Sequence, residues 1–537
     1  MQGDPPLTTH GKTLFGTRTL VSGIFWNGLG RGLPILVALI ATPFLLHRLG
    51  IERWALFTLA LSLAGSFGIL DFGIGAALTR ALAERIGTPA EHEAAPIIVA
   101  ALTLLTLISL VGAALGWVAM PWVMTHMFSV PPALRAEATG AFRLLCLGGP
   151  LIVVNGALWG VMSAFQKFRL AILSNLPVSV LYYAGPAAVL SLSGGLGGVI
   201  AALVAARLLQ AVITGAIVLR LVPALCDRPR IEMHRLRPLL RIGAWVTVSN
   251  VLWPLMLYID RFIVGAILPL AAVSYYATSL DVVVRLMMVP LAIGAVLFPA
   301  AAASYRARPE RIGALLRLSV LPTIAVVFPA CVVLAGASHT LLALWIGKSF
   351  AAGSGNILVL FTIGTFLGCV ALLPGTLADA VGRPEIGAVI LLVQAVLFLP
   401  VVVLMTRHYG VTGAAVTWML RALFNCAARI AACRLLGRAV TACGASASAD
   451  AALVPRLLAV SAAGVAGLLA CWLAEPGLLR LGVMAGVAAG VPALAAALLL
   501  DAAERAQIGR LACRFVPGAA LAFAPQGVAK APCVQRD

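Results

Sequence analysis

Charge is what this chain has least of. Asp, Glu, Lys and Arg make up only 11% of its 537 residues, against about a quarter in soluble domains. With 62% hydrophobic residues, a water-soluble globule is excluded. Close cysteine pairs are also missing. The ten cysteines (Cys146, Cys226, Cys331, Cys369, Cys426, Cys433, Cys443, Cys471, Cys513 and Cys533) include no CxxC, so free thiols and no structural disulfide are expected. The seven histidines are scattered without metal-ligand spacing, and neither a metal nor any other cofactor is expected. There is no P-loop, which excludes ATP hydrolysis by this chain. A cleavable signal pattern is lacking too. Residues 1–20 are polar, with Lys12 and Arg18, and the first apolar run is longer than a signal peptide allows, so it is read as a retained span.

What the chain does have is apolar runs. Residues 170–206 contain no charge at all, enough for one membrane span and the start of another. The pattern predicts an all-α, polytopic integral membrane protein of about fourteen transmembrane helices, near residues 21–47, 53–79, 94–124, 139–163, 170–190, 197–220, 242–266, 272–303, 316–338, 356–380, 386–406, 410–433, 456–474 and 479–500. The net charge of +19 is then a topology signal, since basic residues gather in cytoplasmic loops. With the N-terminus in the cytoplasm, the inside segments collect most of the loop cations, among them Lys167, Arg228, Arg230, Arg235, Arg237, Arg306, Arg308 and Arg438. The outside loops hold only Arg48, Arg53, Arg135, Lys348, Arg407 and Arg480. Both termini are therefore expected in the cytoplasm. No aromatic-basic module for nucleic acid is present.

The chain also repeats itself. Gly160, Gly195 and Gly198 recur as Gly375, Gly410 and Gly413, each 215 residues later. The duplicated unit is a set of membrane helices, a recurring plan of transporters. It divides the chain into a cytoplasmic tail (1–20), an N-lobe of six helices (21–220), a basic linker (221–241), a C-lobe of six helices (242–433), a small-residue linker (434–455), two further helices (456–500) and a basic tail (501–537). Loops this short leave no room for an extramembrane catalytic domain, and the chain is not read as an enzyme.

An ionisable group near the bilayer centre costs at least about 2.5–3.5 kcal/mol, so such residues face a cavity or a partner. Arg31 lies in the first span with Asn27 one turn before it. Asp281 and Arg285 share an i,i+4 spacing in the eighth. Arg207 and Arg421 occupy nearly the same place in the two repeats, and Asp260 and Arg261 adjoin in the seventh span. One reading is a cationic cavity in which Arg31, Asn27, Arg207, Arg285 and Arg421 hold an anionic headgroup such as a pyrophosphate, because arginine donates paired hydrogen bonds to phosphate oxygens. In the other, Asp281–Arg285 and Asp260–Arg261 neutralise themselves, Arg207 and Arg421 pair with acids of other spans, and Asp71 and Asp379 are structural. Asp281 or Asp260 would carry a coupling ion in the first case and serve only as a structural partner in the second. Trp26, Trp159, Trp253, Tyr258, Tyr275 and Tyr276 suit either sugar stacking or interfacial anchoring.

Several segments resemble the bacterial polysaccharide-unit flippases of the multidrug/oligosaccharidyl-lipid/polysaccharide exporter superfamily. They are Leu49-Gly50-Ile51-Glu52 followed by Leu70-Asp71-Phe72-Gly73-Ile74, then YIDRFIVG (258–265), VSYYATSLDVVVRLMMVPLAIGAVLFP (273–299) and GVTGAA opening the twelfth span. Trp54-Ala55 stands where Tyr-Gly is usual. The resemblance covers roughly residues 20–435. It implies two six-helix lobes related by a pseudo-twofold axis, alternating access, and a polyprenyl-diphosphate-linked oligosaccharide as substrate in the bacterial inner membrane, alongside membrane lipid and polysaccharide polymerase or export proteins. A drug/cation antiporter of the same superfamily and a membrane-embedded sugar polymerase or ligase are the alternatives. Central arginines speak against the first, and short, nearly uncharged outer loops against the second.

Overall fold

The computed structural model describes residues 17–88, 92–192, 195–225, 244–307, 311–441 and 453–500, with the side chains of residues 17–31, 168–169, 244–251, 253, 306–307 and 434–441 outside that description. Most of the expected N-terminal tail and of the basic linker, half of the small-residue linker and the whole C-terminal tail fall outside the described residues, as do the side chains of Asn27, Arg31, Trp26 and Trp253. Among the described residues the chain is helical throughout, with no strand. In a bilayer every backbone polar group needs an internal partner, and a helix supplies it within one segment.

In chain order the helices are α1 (Thr17–Ser66), α2 (Ile74–Arg85), α3 (Ala94–Trp122), α4 (Pro132–Ala164), α5 (Phe168–Ser191), α6 (Leu196–Leu221), α7 (Ala244–Ile267), α8 (Leu270–Val284), α9 (Met288–Ala307), α10 (Arg311–Gly336), α11 (Ser338–Trp345), α12 (Lys348–Ala380), α13 (Pro384–Thr441), α14 (Leu453–Leu473) and α15 (Leu478–Leu499). Eleven segments among the described residues are long and apolar enough to cross a membrane. Two of them, within α1 and α13, each hold a pair of spans. Gly50 bends α1 at φ 76°, ψ 166° and Gly410 bends α13 at φ 61°, ψ −146°. These are backbone conformations that favour glycine, and they mark where the sequence predicts loops. Opening both bends and adding α7 gives fourteen segments.

Two predicted straight spans are broken. The second passes through a 3₁₀ turn, Phe67–Asp71, with Phe72 at φ 45° and Gly73 at φ 77°, before α2 resumes. Asp71 Oδ1 accepts the amide of Gly75 at 2.9 Å and so supplies the restarting helix with a partner for one free N–H. The eighth span is α8 and α9 joined by a 3₁₀ turn at Arg285–Met287. Other helices run past their apolar stretch. The fourth begins at Pro132 and the tenth at Lys348, because hydropathy marks the hydrocarbon layer whereas a helix continues into the headgroups.

The chain forms two compact units, Met1–Tyr258 and Ile259–Asp537. In the first, α4 packs against α2, α3 and α6, and α5 against α1 and α6. Small residues set the approach, as lipid gives no hydrophobic drive between helices. Gly149 faces the ring of Phe67 at 3.0 Å and Gly116 faces Cys146 Sγ at 2.9 Å, both measured from where a Cβ would stand. In the second unit α12 is central, packed by α8, α9, α10, α11 and α13. Its aromatic spine joins Tyr276 to Phe361 at 4.8 Å and Phe361 to Trp418 at 5.2 Å. The last pair, α14 and α15, packs on α10, where Gly467 receives Val487, and Gly464 of α14 receives Phe366 of α12.

Candidate functional site

Five of the intramembrane charges gather in the second unit. Asp260 and Arg261 are consecutive on α7, so they point about 100° apart around the helix and meet different neighbours. Asp260 Oδ2 lies 3.3 Å from Nη2 of Arg421, on α13 beyond the Gly410 bend, and accepts from the Tyr276 hydroxyl at 3.4 Å. Arg261 Nη2 lies 2.5 Å from Asp281 Oδ1 on α8. Arg285, opening the 3₁₀ turn, donates Nε to the backbone carbonyl of Asp281 at 3.0 Å. The side chains of Asp260, Arg261 and Arg421 are 6%, 6% and 12% exposed, while that of Asp281 is 34% exposed. The cluster thus has a closed end against Tyr276 and Phe361 and an open end at Asp281 and the half-buried Arg285. Among the described residues the cluster holds three arginines and two aspartates.

The sequence pairs Asp281 with Arg285 along one helix, and Asp260 with Arg261 as neighbours. In the structure the Asp281 carboxylate reaches across to Arg261, and Asp260 reaches to Arg421. The two charged segments are cross-linked and do not neutralise themselves.

Arg207 sits in the first unit and is held differently. Its guanidinium lies 5.0 Å over the ring of Tyr182, and Nη1 donates to Gln210 Oε1 at 2.9 Å. Gln210 passes the chain on to Asn175 Oδ1 on α5, and Asn155 of α4 donates to the Arg207 carbonyl at 3.2 Å. Among the described residues no carboxylate meets Arg207, and its Nε, like Asn155 Oδ1, has no hydrogen-bond partner. Beside it lies a small, mostly apolar recess bounded by Ala64, Leu145, Ile152, Tyr182 and Leu203. Arg31 and Asn27 lie on the first half of α1, and their side chains are outside the described residues.

Two further intramembrane arginines escaped the sequence reading. Arg429 lies two turns beyond Arg421 and donates Nε to Asn425 Oδ1 at 3.0 Å, which also accepts from Gln394 at 3.1 Å. Asn425 stands 215 residues after Gln210, so each unit carries one arginine and two amides tying consecutive spans together. Amide positions checked against the glycine offset would have exposed that correspondence. Gly375 leaves the space that the Arg429 guanidinium fills. Its counterpart Gly160 faces the Thr79 hydroxyl, 2.6 Å from where a Cβ would stand. The second missed residue, Arg143 on α4, has its guanidinium 5.4 Å over Trp117.

Set against known proteins, residues 20–304 match the family described as polysaccharide biosynthesis protein. The chain is 26% identical over 413 residues to a Shigella flexneri protein named as an O-antigen transporter, an alignment covering 76% of this chain and 96% of that one. Among solved structures it resembles the lipid II flippase MurJ in an inward closed conformation, with a TM-score of 0.63 and 12% identity over 90% of this chain and 100% of that chain. It also resembles an inward-facing multidrug resistance MATE transporter of the MOP superfamily, with a TM-score of 0.62 and 16% identity over 78% of this chain and 99% of that chain. At these identities the structural likenesses establish the fold.

Proposed function

The chain belongs to the polysaccharide biosynthesis protein family, and we propose from that premise that it is a flippase carrying a polyprenyl-diphosphate-linked oligosaccharide across the bacterial inner membrane by alternating access. The observation that carries the reading is the joint one of family membership and an intramembrane arginine, Arg207, with no carboxylate beside it among the described residues. The cluster around Asp260 brings Arg261, Arg285 and Arg421 together in the second unit. A diphosphate is the ligand such groups serve best, since each guanidinium can replace several waters around the phosphate oxygens.

In this reading the six-helix groups 21–220 and 242–433 are the rocking lobes, 221–241 tethers them on the cytoplasmic side, and both termini are cytoplasmic. Arg31, Asn27, Arg207, Arg285 and Arg421 contact the headgroup at different stages while the polyprenyl tail stays in lipid. Arg421 can do so only by loosening from Asp260. Asp260 and Asp281 are then both structural partners and the groups on which a coupling ion would act. A substrate shifts the equilibrium between inward and outward states only through its different affinity for them. Release outside therefore needs product removal, by a polymerase or export partner, or an ion gradient. No catalytic role is assigned to any residue. A cation antiporter fits less well, because its cavity would need acids in excess of arginines.

Lipid-linked oligosaccharide is measured in cells lacking this protein, complemented at matched membrane levels with wild type, Arg207→Ala, Arg285→Ala or Arg31→Ala. Accumulation of cytoplasm-facing oligosaccharide, relieved by wild type and not by the variants, is expected. Normal translocation in the null strain, freed of redundant transporters, refutes the reading.

A further inference from the structure

Arg143 is an arginine on a face that the bundle does not cover. On α4 it shares that face with Gly140 three residues before and Leu147 four residues after. Both are exposed, Leu147 by 54%, and no atom lies within 4 Å of where a Gly140 Cβ would stand. The adjoining surface of α3 carries Leu110, Leu115 and Val118, exposed by 51%, 68% and 76%. In a chain that spans the membrane, an uncovered surface of large aliphatic side chains faces lipid. A bare guanidinium there is expensive.

The neighbourhood is built around a backbone defect. Pro121, inside α3, has no N–H to give the carbonyl of Trp117, four residues earlier. Arg143 Nε donates to that carbonyl at 3.1 Å, and the guanidinium stacks 5.4 Å from the Trp117 ring centre. Gly116 permits this approach, since it admits Cys146, one turn along α4 from Arg143, to the surface of α3. Anchoring the backbone uses one of the five N–H groups of the arginine. The terminal nitrogens are left over, and among the described residues no carboxylate meets them.

Direction follows from helix geometry. Side chains lean toward the N-terminus of their own helix, so Arg143 leans toward Pro132 and hence toward the end of α3 where Trp122 and His126 stack at 5.7 Å. Trp122 is 61% exposed and marks the headgroup level. Trp117 lies about 7.5 Å below it along the helix, within reach of a snorkelling arginine. We propose that Arg143, seated on Trp117, is a lipid-phosphate subsite on the bilayer-facing surface of α3 and α4, taking the phosphodiester headgroup of a membrane phospholipid. This rests only on the chain spanning the membrane and stands apart from any transport activity.

The test is native mass spectrometry of the purified full-length protein titrated with phosphatidylglycerol, diacylglycerol of the same acyl chains, or a polyprenyl diphosphate. The wild type is expected to bind phosphatidylglycerol ahead of diacylglycerol. Arg143→Gln, which can still donate an amide hydrogen to Trp117, should bind phosphatidylglycerol about tenfold more weakly, the scale of one charge-assisted hydrogen bond. If that variant does not fold, Pro121→Ala combined with Arg143→Gln restores the helical amide for the Trp117 carbonyl and carries the same measurement. Phosphatidylglycerol affinity unchanged within twofold in a folded variant overturns the proposal, as does equal binding of diacylglycerol by the wild type. Stronger Arg143-dependent binding of the polyprenyl diphosphate than of phosphatidylglycerol would overturn the choice of occupant.

Discussion

Neutralising Asp260 should cost far more alone than together with Arg421. The two groups lie 3.3 Å apart with side chains only 6% and 12% exposed, so Asp260→Asn leaves a guanidinium in a low-dielectric interior without its carboxylate. Breaking one half of a buried pair costs about 3–5 kcal/mol, and the mildest membrane-insertion scale independently puts an arginine at the bilayer centre at about 2.5–3.5 kcal/mol. About 3 kcal/mol is therefore expected for Asp260→Asn, more than a hundredfold in the folded-to-unfolded ratio. Arg421→Gln alone should cost a similar amount, because it takes from Asp260 its ion-pair partner and leaves it, among the described residues, the Tyr276 hydroxyl at 3.4 Å and the more distant charge of Arg261. The double variant removes both charges and should cost clearly less than the two singles added. Reversible unfolding of the full chain in detergent or bicelles, read as a double-mutant cycle, gives the coupling. A coupling of about 2 kcal/mol or more is expected. Additivity within about 0.5 kcal/mol, the scatter of independent sites, would refute the claim that this pair bears on each other's burial.

Three other outcomes follow from the same geometry. Gly375→Ala places a methyl group on the Arg429 guanidinium and should lower stability by about 1–3 kcal/mol, the range for overpacking. Thermal unfolding in detergent checks it, and a neutral result would mean that the guanidinium has room to move. Gln210→Leu and Asn425→Leu each remove an interhelical amide bond, and unfolding should show each losing about 0.5–2 kcal/mol, as polar contacts in membranes do. An effect in one unit only would deny their equivalence. Asp71→Ala removes the acceptor for the Gly75 amide and should cost about 1 kcal/mol, with faster hydrogen exchange at Gly75. Unchanged exchange there would show that the carboxylate does not hold the restarting helix.

The membrane class, the order of spans and the two-part repeat could be read from the chain because each depends on local composition. Hydrocarbon thickness sets how many apolar residues a span needs, and glycines at a fixed offset survive as a pattern along one strand of text. Gly50 and Gly410 were legible for the same reason, as breaks between apolar runs, although as bends they leave α1 and α13 each continuous. The 3₁₀ turns at Phe67–Asp71 and Arg285–Met287 were not, since hydropathy is blind to a local tightening within an apolar stretch.

Partner choice was decided only in three dimensions. Asp281 and Arg285 have the spacing of a helical ion pair, yet Arg261 of the preceding helix reaches the Asp281 carboxylate. Arg207 and Arg421 stand at almost the same place in the two repeats, yet one lies on Tyr182 and the other against Asp260. Arg143 carries no sequence signal beyond its charge, and its seat exists because Pro121 on another helix leaves a carbonyl without its amide. A residue's cost of burial is written in its own chemistry. Whether that cost is met depends on what a neighbouring helix, distant in sequence, presents at a few ångströms, and packing alone determines that.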